Sequence, residues 1–348
     1  MKFAALTLLL TLSVCPACQA QADQQEVKHH GMMHAMDAQH PPSAAKLSVS
    51  NNAAANELTV RIGPVGMPAR AGMNFTQPPA FLLTIPFDGW LTAFHPRLAN
   101  SRGHPLPNKL LHHAAFYNTA RRDFLCANKE EHIFGAGGEM NDWPAVPGFG
   151  YRVKKGDRIR INTMFANATA KNYPDAFFEV RIDYHVAQST ANAAALKDVY
   201  PAWFDVMGCA NSAYDLPPGP STKTGQFTLR FSGRLLGVGG HLHDYGEWLV
   251  LKDATTNETI GTLAANLDRS GQILSMPVKL FTGLSTAPSA GLSAAGGGFA
   301  LHGGDVLTVT DAYNNPTGKS IPAGAMGIVV GYFLPDDPAA FAPLRRHP

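Results

Sequence analysis

Two similar arrangements of histidine residues, one in each half of the chain, constrain the fold most strongly. In each half a strand-like segment with paired histidines comes first, and a Gly-Asp step then opens an alternating segment. A final apolar segment carries a further candidate metal ligand. The pairs are His112 with His113 and His241 with His243. We therefore expect two related halves, each with a metal site built on strands.

The third candidate ligand differs between the two halves. His185 ends an alternating segment in the first half, and Met326 begins an apolar segment in the second. Imidazole binds both oxidation states of copper, whereas a thioether favours copper(I). The sequence therefore predicts two different copper sites, formed by His112, His113 and His185 and by His241, His243 and Met326.

The spacing within each pair determines how readily both rings reach one metal ion. Side chains two residues apart lie on the same face of a strand, so His241 and His243 can both bind one metal ion. His112 and His113 are adjacent, and a regular strand would direct them to opposite faces. They can bind one metal only if the backbone bends or bulges there.

The first residues predict secretion. An apolar run from Phe3 to Val14 follows Lys2, and Ala20-Gln21-Ala22 fits a signal-peptidase site. We expect cleavage after Ala22 and a periplasmic or secreted mature protein. A lipoprotein at Cys15 or Cys18 stays open as the alternative, although neither follows a clean lipobox.

Removal of the signal peptide leaves two cysteines, Cys126 and Cys209. In an oxidising compartment we expect them to form a disulfide. Such a bond closes a loop of about 80 residues, which the chain-entropy model values at about 4–5 kcal/mol. Two buried free thiols are the alternative. Neither cysteine has metal-site spacing, so zinc is not predicted.

The segment after the signal peptide is polar and has no apolar period, which predicts disorder. It contains a cluster of candidate copper-capturing residues: His29, His30, Met32, Met33, His34 and Met36. Soft and imidazole ligands together indicate loose capture of copper. A flexible leader without a metal role is the alternative.

Composition and turn residues indicate the fold class. Only 16% of residues are charged and the net charge is +2, which indicates neither nucleic acid nor a membrane surface as a partner. No later apolar run is long enough to span a bilayer. Short alternating segments between Gly, Pro and Asn predict an all-β protein of two tandem jelly-roll-like β-sandwich domains. The predicted boundaries are 1–22 for the signal peptide, 23–54 for the disordered segment, 55–190 for the N-terminal domain and 196–340 for the C-terminal domain.

Roughly residues 57–335 resemble the copper type II, ascorbate-dependent monooxygenases, which include peptidylglycine α-hydroxylating monooxygenase and dopamine β-monooxygenase; this chain looks like a bacterial-type member. The motifs that carry the resemblance are Phe94-His95-Pro96-Arg97, His112-His113, Tyr184-His185, Pro217-Pro218-Gly219, His241-Leu242-His243 and Met326. The resemblance implies an electron-transfer copper on the three histidines and an O2-reactive copper on the second set. It also implies two domains that face each other across a solvent-filled cleft.

The function implied is hydroxylation of an activated C–H bond with O2 and ascorbate or another one-electron reductant. Peptide-amidating members hold the substrate carboxylate through three polar residues, where this chain has Gly239, Ile328 and Val330. We therefore expect an apolar small organic substrate rather than a peptide. The alternative is a periplasmic copper carrier or buffer on the same fold without catalysis, and a copper donor protein is a further expected partner.

Overall fold

The computed structural model describes residues 45–70, 75–187, 196–281 and 297–344. Within these ranges the chain is almost entirely β-strand, with short 3-10 turns at Asn108–Leu110 and Pro338–Leu344 and no α-helix. The predicted all-β sandwich class is confirmed. In the described part of the chain, no helix has the length and apolar character needed to cross a bilayer.

The first half builds two sheets. Its strands are β1 (Lys46–Asn52), β2 (Glu57–Met67), β3 (Phe75–Thr76), β4 (Phe81–Thr84), β5 (Gly89–Ala99), β6 (Leu111–Arg122), β7 (Glu130–Gly137), β8 (Phe149–Val153), β9 (Arg158–Ala166), β10 (Tyr173–Val186) and β11 (Lys197–Asp198). One sheet has the order β1-β2-β10-β5-β8-β11, and the other has the order β3-β9-β6-β7 with β4 also paired to β9. The two sheets pack face to face because their strands have apolar residues on one side. In β9, for example, Ile159, Ile161 and Phe165 are buried on the same side.

The second half repeats this plan with more irregular edges. Its strands are β12 (Tyr200–Asp205), β13 (Tyr214–Leu216), β14 (Gly219–Thr228), β15 (Gly233–Leu242), β16 (Gly246–Asp253), β17 (Glu258–Ala264), β18 (Asn266–Leu267), β19 (Ile273–Ser275), β20 (Val278–Leu280), β21 (Phe299–Leu301), β22 (Val306–Asn315), β23 (Ile321–Ala325) and β24 (Gly327–Pro335). The main sheets have the orders β12-β24-β15-β20, with β21 on β15, and β14-β22-β16-β17. The pairs β13-β23 and β18-β19 form small ribbons.

Each half has its own buried core, yet the two cores share an interface. Phe116 and Phe178 lie in the first core, and Phe204 and Phe333 lie in the second. Ile328 of β24 belongs to the second half but packs into the first core. The described residues from 45 to 344 accordingly belong to one compact unit. The boundaries at 55–190 and 196–340 stay a prediction.

The N-terminal boundary of the folded part requires a correction. The segment predicted as disordered ran to residue 54, but Lys46–Asn52 forms β1 and pairs antiparallel along the whole of its length with β2. This strand lies at a sheet edge and buries little, and Val49 is 45% exposed. Backbone hydrogen bonds rather than side-chain burial hold it, and only Leu47 and Val49 alternate with polar residues, a pattern too short to identify a strand.

The disulfide is confirmed. Cys126 and Cys209 are bonded, with Cα atoms 5.5 Å apart across 83 residues of sequence. Phe124 and Cys126 come from the first half of the chain but are buried in the second core. The bond therefore covalently fastens a loop of the first half to the second half.

We expect the carboxyl group of Asp123, beside this loop, to make stability depend on pH. Burial raises its pKa to about 6, although its Oδ1 accepts hydrogen bonds from the N–H groups of Leu125 and Cys126. Because the folded state binds this proton more tightly than the unfolded state, stability falls as pH rises from about 4 to 6. The Asp123→Asn variant keeps an oxygen acceptor and removes the charge. The difference in free energy of unfolding between this variant and the unsubstituted protein (variant minus unsubstituted) should be about 2–3 kcal/mol larger at pH 8 than at pH 4. Urea unfolding at both pH values measures this, and a difference independent of pH would contradict it.

Candidate metal centre

A bulge at the start of β6 carries the first histidine pair. Leu111 pairs with Phe165, but His113 pairs with Met164, so His112 is an extra residue in β6. The ring centroids of His112 and His113 are 5.1 Å apart. This irregularity is the one that two adjacent histidines need if both are to face one metal ion.

The second histidine pair lies at the end of β15. The ring centroids of His241 and His243 are 5.4 Å apart, while the intervening Leu242 is buried in the second core. The alternation of a regular strand thus places both imidazoles on one side, as the sequence predicts.

Met326 lies next to His243. Strands β15 and β24 pair antiparallel as far as Leu242 and Gly327, and His243 and Met326 are the next residues beyond this last pair. The hydroxyl of Tyr313 accepts hydrogen bonds from the N–H groups of His243 and Met326, both at 3.0 Å. It donates to the carbonyl oxygen of Met326 at 2.7 Å. Tyr313 therefore fixes the two candidate ligands relative to each other.

The two histidine pairs form one cluster. The ring of His112 lies 4.9 Å from the ring of His243, centroid to centroid. The four rings thus follow one another at spacings of 4.9 to 5.4 Å. This differs from the resemblance, which implies two sites on either side of a solvent-filled cleft.

A glycine permits this close approach. A Cβ atom on Gly137 in β7 would lie 2.7 Å from Cε1 of His241 and 2.5 Å from Oε2 of Glu139. Real Cβ atoms do not approach other atoms so closely, so any larger residue at position 137 would push the His241 ring away from the first half.

The structure does not bring His185 to this cluster. The start of β6 lies beside the end of β9, because Leu111 pairs with Phe165. Asn167, just beyond β9, donates a hydrogen bond to the carbonyl oxygen of Met67, which pairs with Tyr173 at the start of β10. The starts of β6 and β10 therefore lie at the same end of the first half. His185 lies near the other end of the 14-residue β10, with its ring 5.9 Å from that of Trp90. At the rise of an extended strand, the two ends of β10 are roughly 40 Å apart. The alternation of apolar and polar residues in β10 could be recognised in the sequence. The direction of β10 relative to β6 could not.

Two buried ring nitrogens in the cluster are free to bind a metal. Nδ1 of His113 and Nε2 of His243 have no hydrogen-bond partner. A buried polar atom without a hydrogen-bond partner destabilises the folded state. A metal ion bound at each of these nitrogens would satisfy its lone pair. Among the described residues, no group of three or more His, Cys, Asp or Glu side chains is arranged to hold a metal ion. Sites of two imidazoles and one thioether are not groups of that kind, and the donors present fit copper.

Burial keeps three of the four imidazoles neutral. It lowers the pKa of His112 to about 4 and that of His113 to about 3, and the charges of neighbouring histidines lower both further. Burial and the same neighbours hold the pKa of His243 well below its usual value. Metal binding requires neutral imidazole, so these rings are ready to bind at neutral pH without losing a proton.

His241 differs because it has a carboxylate partner. Its Nδ1 lies 2.8 Å from Oε1 of Glu139, which also accepts a hydrogen bond from the N–H of Gly137. Burial lowers the pKa of His241, but the charge of Glu139 and this hydrogen bond outweigh burial and raise it overall. A carboxylate on Nδ1 fixes the tautomer that leaves Nε2 for a metal. Glu139 lies 102 residues from His241 in sequence, and no local pattern marks it.

We expect Glu139→Gln to weaken the second metal site without removing it. Loss of a carboxylate that orients a ligating histidine typically costs 10- to 100-fold in metal affinity or activity, so we expect a reduction of about 10-fold or more in copper(I) affinity. Competition with a copper(I) chelator measures the affinity. The Glu130→Gln variant is a control, because Glu130 instead pairs with Arg160. Equal affinities in the Glu139 variant and the unsubstituted protein would contradict the assigned role.

A cavity of about 290 Å³ opens beside His112, His241 and His243. Its apolar lining includes Phe75, Leu111, Leu242, Tyr245, Ile273 and Ile321. Its polar lining includes Lys109 and Gln272, which bond to each other at 3.1 Å between Nζ and Oε1. The volume suits a small organic molecule, which would reach the histidine cluster with most of its surface against apolar side chains.

The positions that differ from the peptide-amidating enzymes are closed to polar groups. A Cβ atom on Gly239 would lie 2.6 Å from the ring of Trp143, so no side chain fits there unless Trp143 moves. Ile328 and Val330 are buried in the first core. None of these three residues can hold a carboxylate.

The remaining predicted sites lie outside the described residues. These are the signal peptide and the cluster of His29, His30, Met32, Met33, His34 and Met36.

Two curated proteins are similar to part of this chain. This chain is 27% identical over 154 residues to the probable copper-dependent oxygenase clz3 of Cochliobolus lunatus. It is 26% identical over 147 residues to the probable copper-dependent oxygenase M1 of a Phoma species. Each match covers 38% of this chain and 44% or 36% of the relative, so the chain spans less than half the length of these relatives. No family model matches. A chain from a crystal structure of the T13 IBDV viral particle aligns at 9% identity, over 89% of this chain and 84% of that chain, with a TM-score of 0.12, which carries no argument.

Proposed function

We propose that this protein is a secreted or periplasmic copper-dependent monooxygenase. It hydroxylates a small, largely apolar organic substrate with O2 and a one-electron reductant such as ascorbate. The observation that carries the proposal is the meeting of two imidazole pairs, each with a buried unpartnered ring nitrogen, beside one cavity. The names of the two distant relatives and the motif resemblance support the same chemistry.

His112 and His113 would hold one copper, and His241, His243 and Met326 would hold the other. Copper supplies one-electron redox chemistry and binding of O2. The thioether of Met326 favours copper(I) at the second site, the oxidation state that reacts with O2.

The protein itself supplies position and an apolar environment. Glu139 fixes the tautomer of His241, and Tyr313 holds His243 beside Met326. The apolar lining of the cavity would exclude water from the reacting C–H bond. Lys109 and Asp244 also line the cavity and would offer charged groups to a polar group of the substrate.

The segment with clustered His and Met residues motivates the alternative function of a copper carrier. A carrier binds copper(I) but has no need of a substrate cavity or of reaction with O2. The two functions therefore differ in what the reduced protein does in air.

Reaction with O2 tests the proposal. Protein loaded with copper(I) is mixed with ascorbate and 18O2 in the presence of a panel of small apolar compounds. We expect ascorbate-dependent O2 consumption, and hydroxylated products that carry one 18O atom. The His243→Ala variant is the matched control and should give neither. A copper-loaded protein that stays reduced in air would contradict the proposal and favour the carrier.

A further inference from the structure

The first histidine pair lacks a third ligand if His185 lies at the far end of β10. Any replacement has to share the face of the β3-β9-β6-β7 sheet on which His113 lies. In that sheet His113 pairs with Met164 of β9. Directly opposed residues of antiparallel strands point to the same side, with Cβ atoms about 4.5–5.5 Å apart.

The burial pattern of β9 shows which way Met164 points. Ile161, Thr163 and Phe165 are buried against the first core, and Met164 alternates with them and is half-buried. Met164 therefore lies on the other side of the sheet, toward the histidine cluster. The thioether of Met164 is on a flexible side chain, which can be directed toward a metal at Nδ1 of the paired His113.

His132 is the rival on the same face, but its position argues against it. Its Nε2, like the free ring nitrogens of His113 and His243, is buried and has no hydrogen-bond partner. Its backbone, however, pairs with Tyr117, four residues beyond His113 along β6, which is roughly 13 Å at the rise of a strand. Its ring is stacked between the rings of Trp203, at 3.5 Å, and Tyr117, at 4.4 Å. Movement toward His113 would break both stacks.

We propose that Met164 is the third ligand of the copper site at His112 and His113, in the place that the sequence assigns to His185. This rests on the proposed copper function. In both halves a methionine then accompanies a histidine: Met164 pairs with His113, and Met326 is held beside His243 by the hydroxyl of Tyr313. Each copper has two imidazoles and one thioether, a set that stabilises copper(I) at both sites.

X-ray absorption at the copper edge tests this assignment, because sulfur and nitrogen scatter differently and lie at different distances. The full-length mature chain is used, with His29, His30, Met32, Met33, His34 and Met36 replaced by serine so that the N-terminal cluster adds no sulfur. The copper(I) form should show about one sulfur per copper, and Met164→Leu should reduce the sulfur contribution by about half. Met67→Leu is a matched control, since Met67 belongs to β2 of the other sheet and its side chain is buried in the first core.

Copper content completes the test. We expect His185→Ala to keep the full copper content, and Met164→Leu to weaken copper(I) binding at one site by about 10-fold or more. An unchanged sulfur contribution in Met164→Leu, or loss of one copper in His185→Ala, would overturn the assignment while leaving the proposed function standing. A parent protein that binds no copper would overturn both.

Discussion

Replacement of Met326 by isoleucine removes ascorbate-dependent O2 consumption and leaves copper on His112 and His113. Isoleucine is apolar and comparable in size, but it has no sulfur lone pair for copper(I). The Tyr313 hydroxyl still receives both backbone N–H groups, so the local fold is retained. We expect the rate to fall by more than about 100-fold, since loss of a ligand exceeds the effect of losing its hydrogen-bond partner.

An oxygen electrode and copper analysis measure these two outcomes on the same sample. The Met67→Leu variant, with its substitution in the first core, controls for general effects of losing a methionine. Full activity in Met326→Ile would remove Met326 from the reacting site.

Loss of the disulfide has the largest expected effect on stability. The bond between Cys126 and Cys209 closes 83 residues and fastens a loop of the first half to the second core. Replacing both cysteines by serine should lower the free energy of unfolding by about 4–5 kcal/mol, from the loop entropy that the bond removes from the unfolded chain.

Urea unfolding of the double variant measures this loss. The unsubstituted protein with its disulfide reduced is the matched control, and should unfold at nearly the same urea concentration as the double variant. A loss below about 1 kcal/mol would show that the unfolded chain gains little freedom when the bond is absent.

The parts of the site that depend on local spacing could be predicted from sequence. A His-x-His pair on a strand shares one face whatever the tertiary structure, and the structure places His241 and His243 accordingly. Adjacent histidines demand a bulge, and β6 has one at His112. The two cysteines that follow the predicted signal peptide have a single possible pairing, and Cys126–Cys209 forms.

The parts that depend on register between distant strands could not be predicted. Glu139 reaches His241 across 102 residues, and Met164 lies opposite His113 only because of how β9 pairs with β6. His185 was assigned from its own strand pattern, which does not say at which end of the sheet the residue lies. The edge strand β1 has only two alternating apolar residues, Leu47 and Val49, which is too short a pattern to identify a strand.

The contact between the two histidine pairs also lay beyond the sequence. It depends on the close approach of β7 and β15, which Gly137 permits by having no side chain. In the sequence, a glycine that leaves room for a neighbouring ring cannot be distinguished from any other glycine in a strand.

Copper content tests most directly whether the two histidine pairs form two copper sites. The serine-substituted background described for the absorption experiment is loaded with copper(I), washed and analysed. We expect about two coppers per chain, and about one when His241 and His243 are both replaced by alanine. One copper or none in the parent protein, or the same content in the double variant, would contradict it.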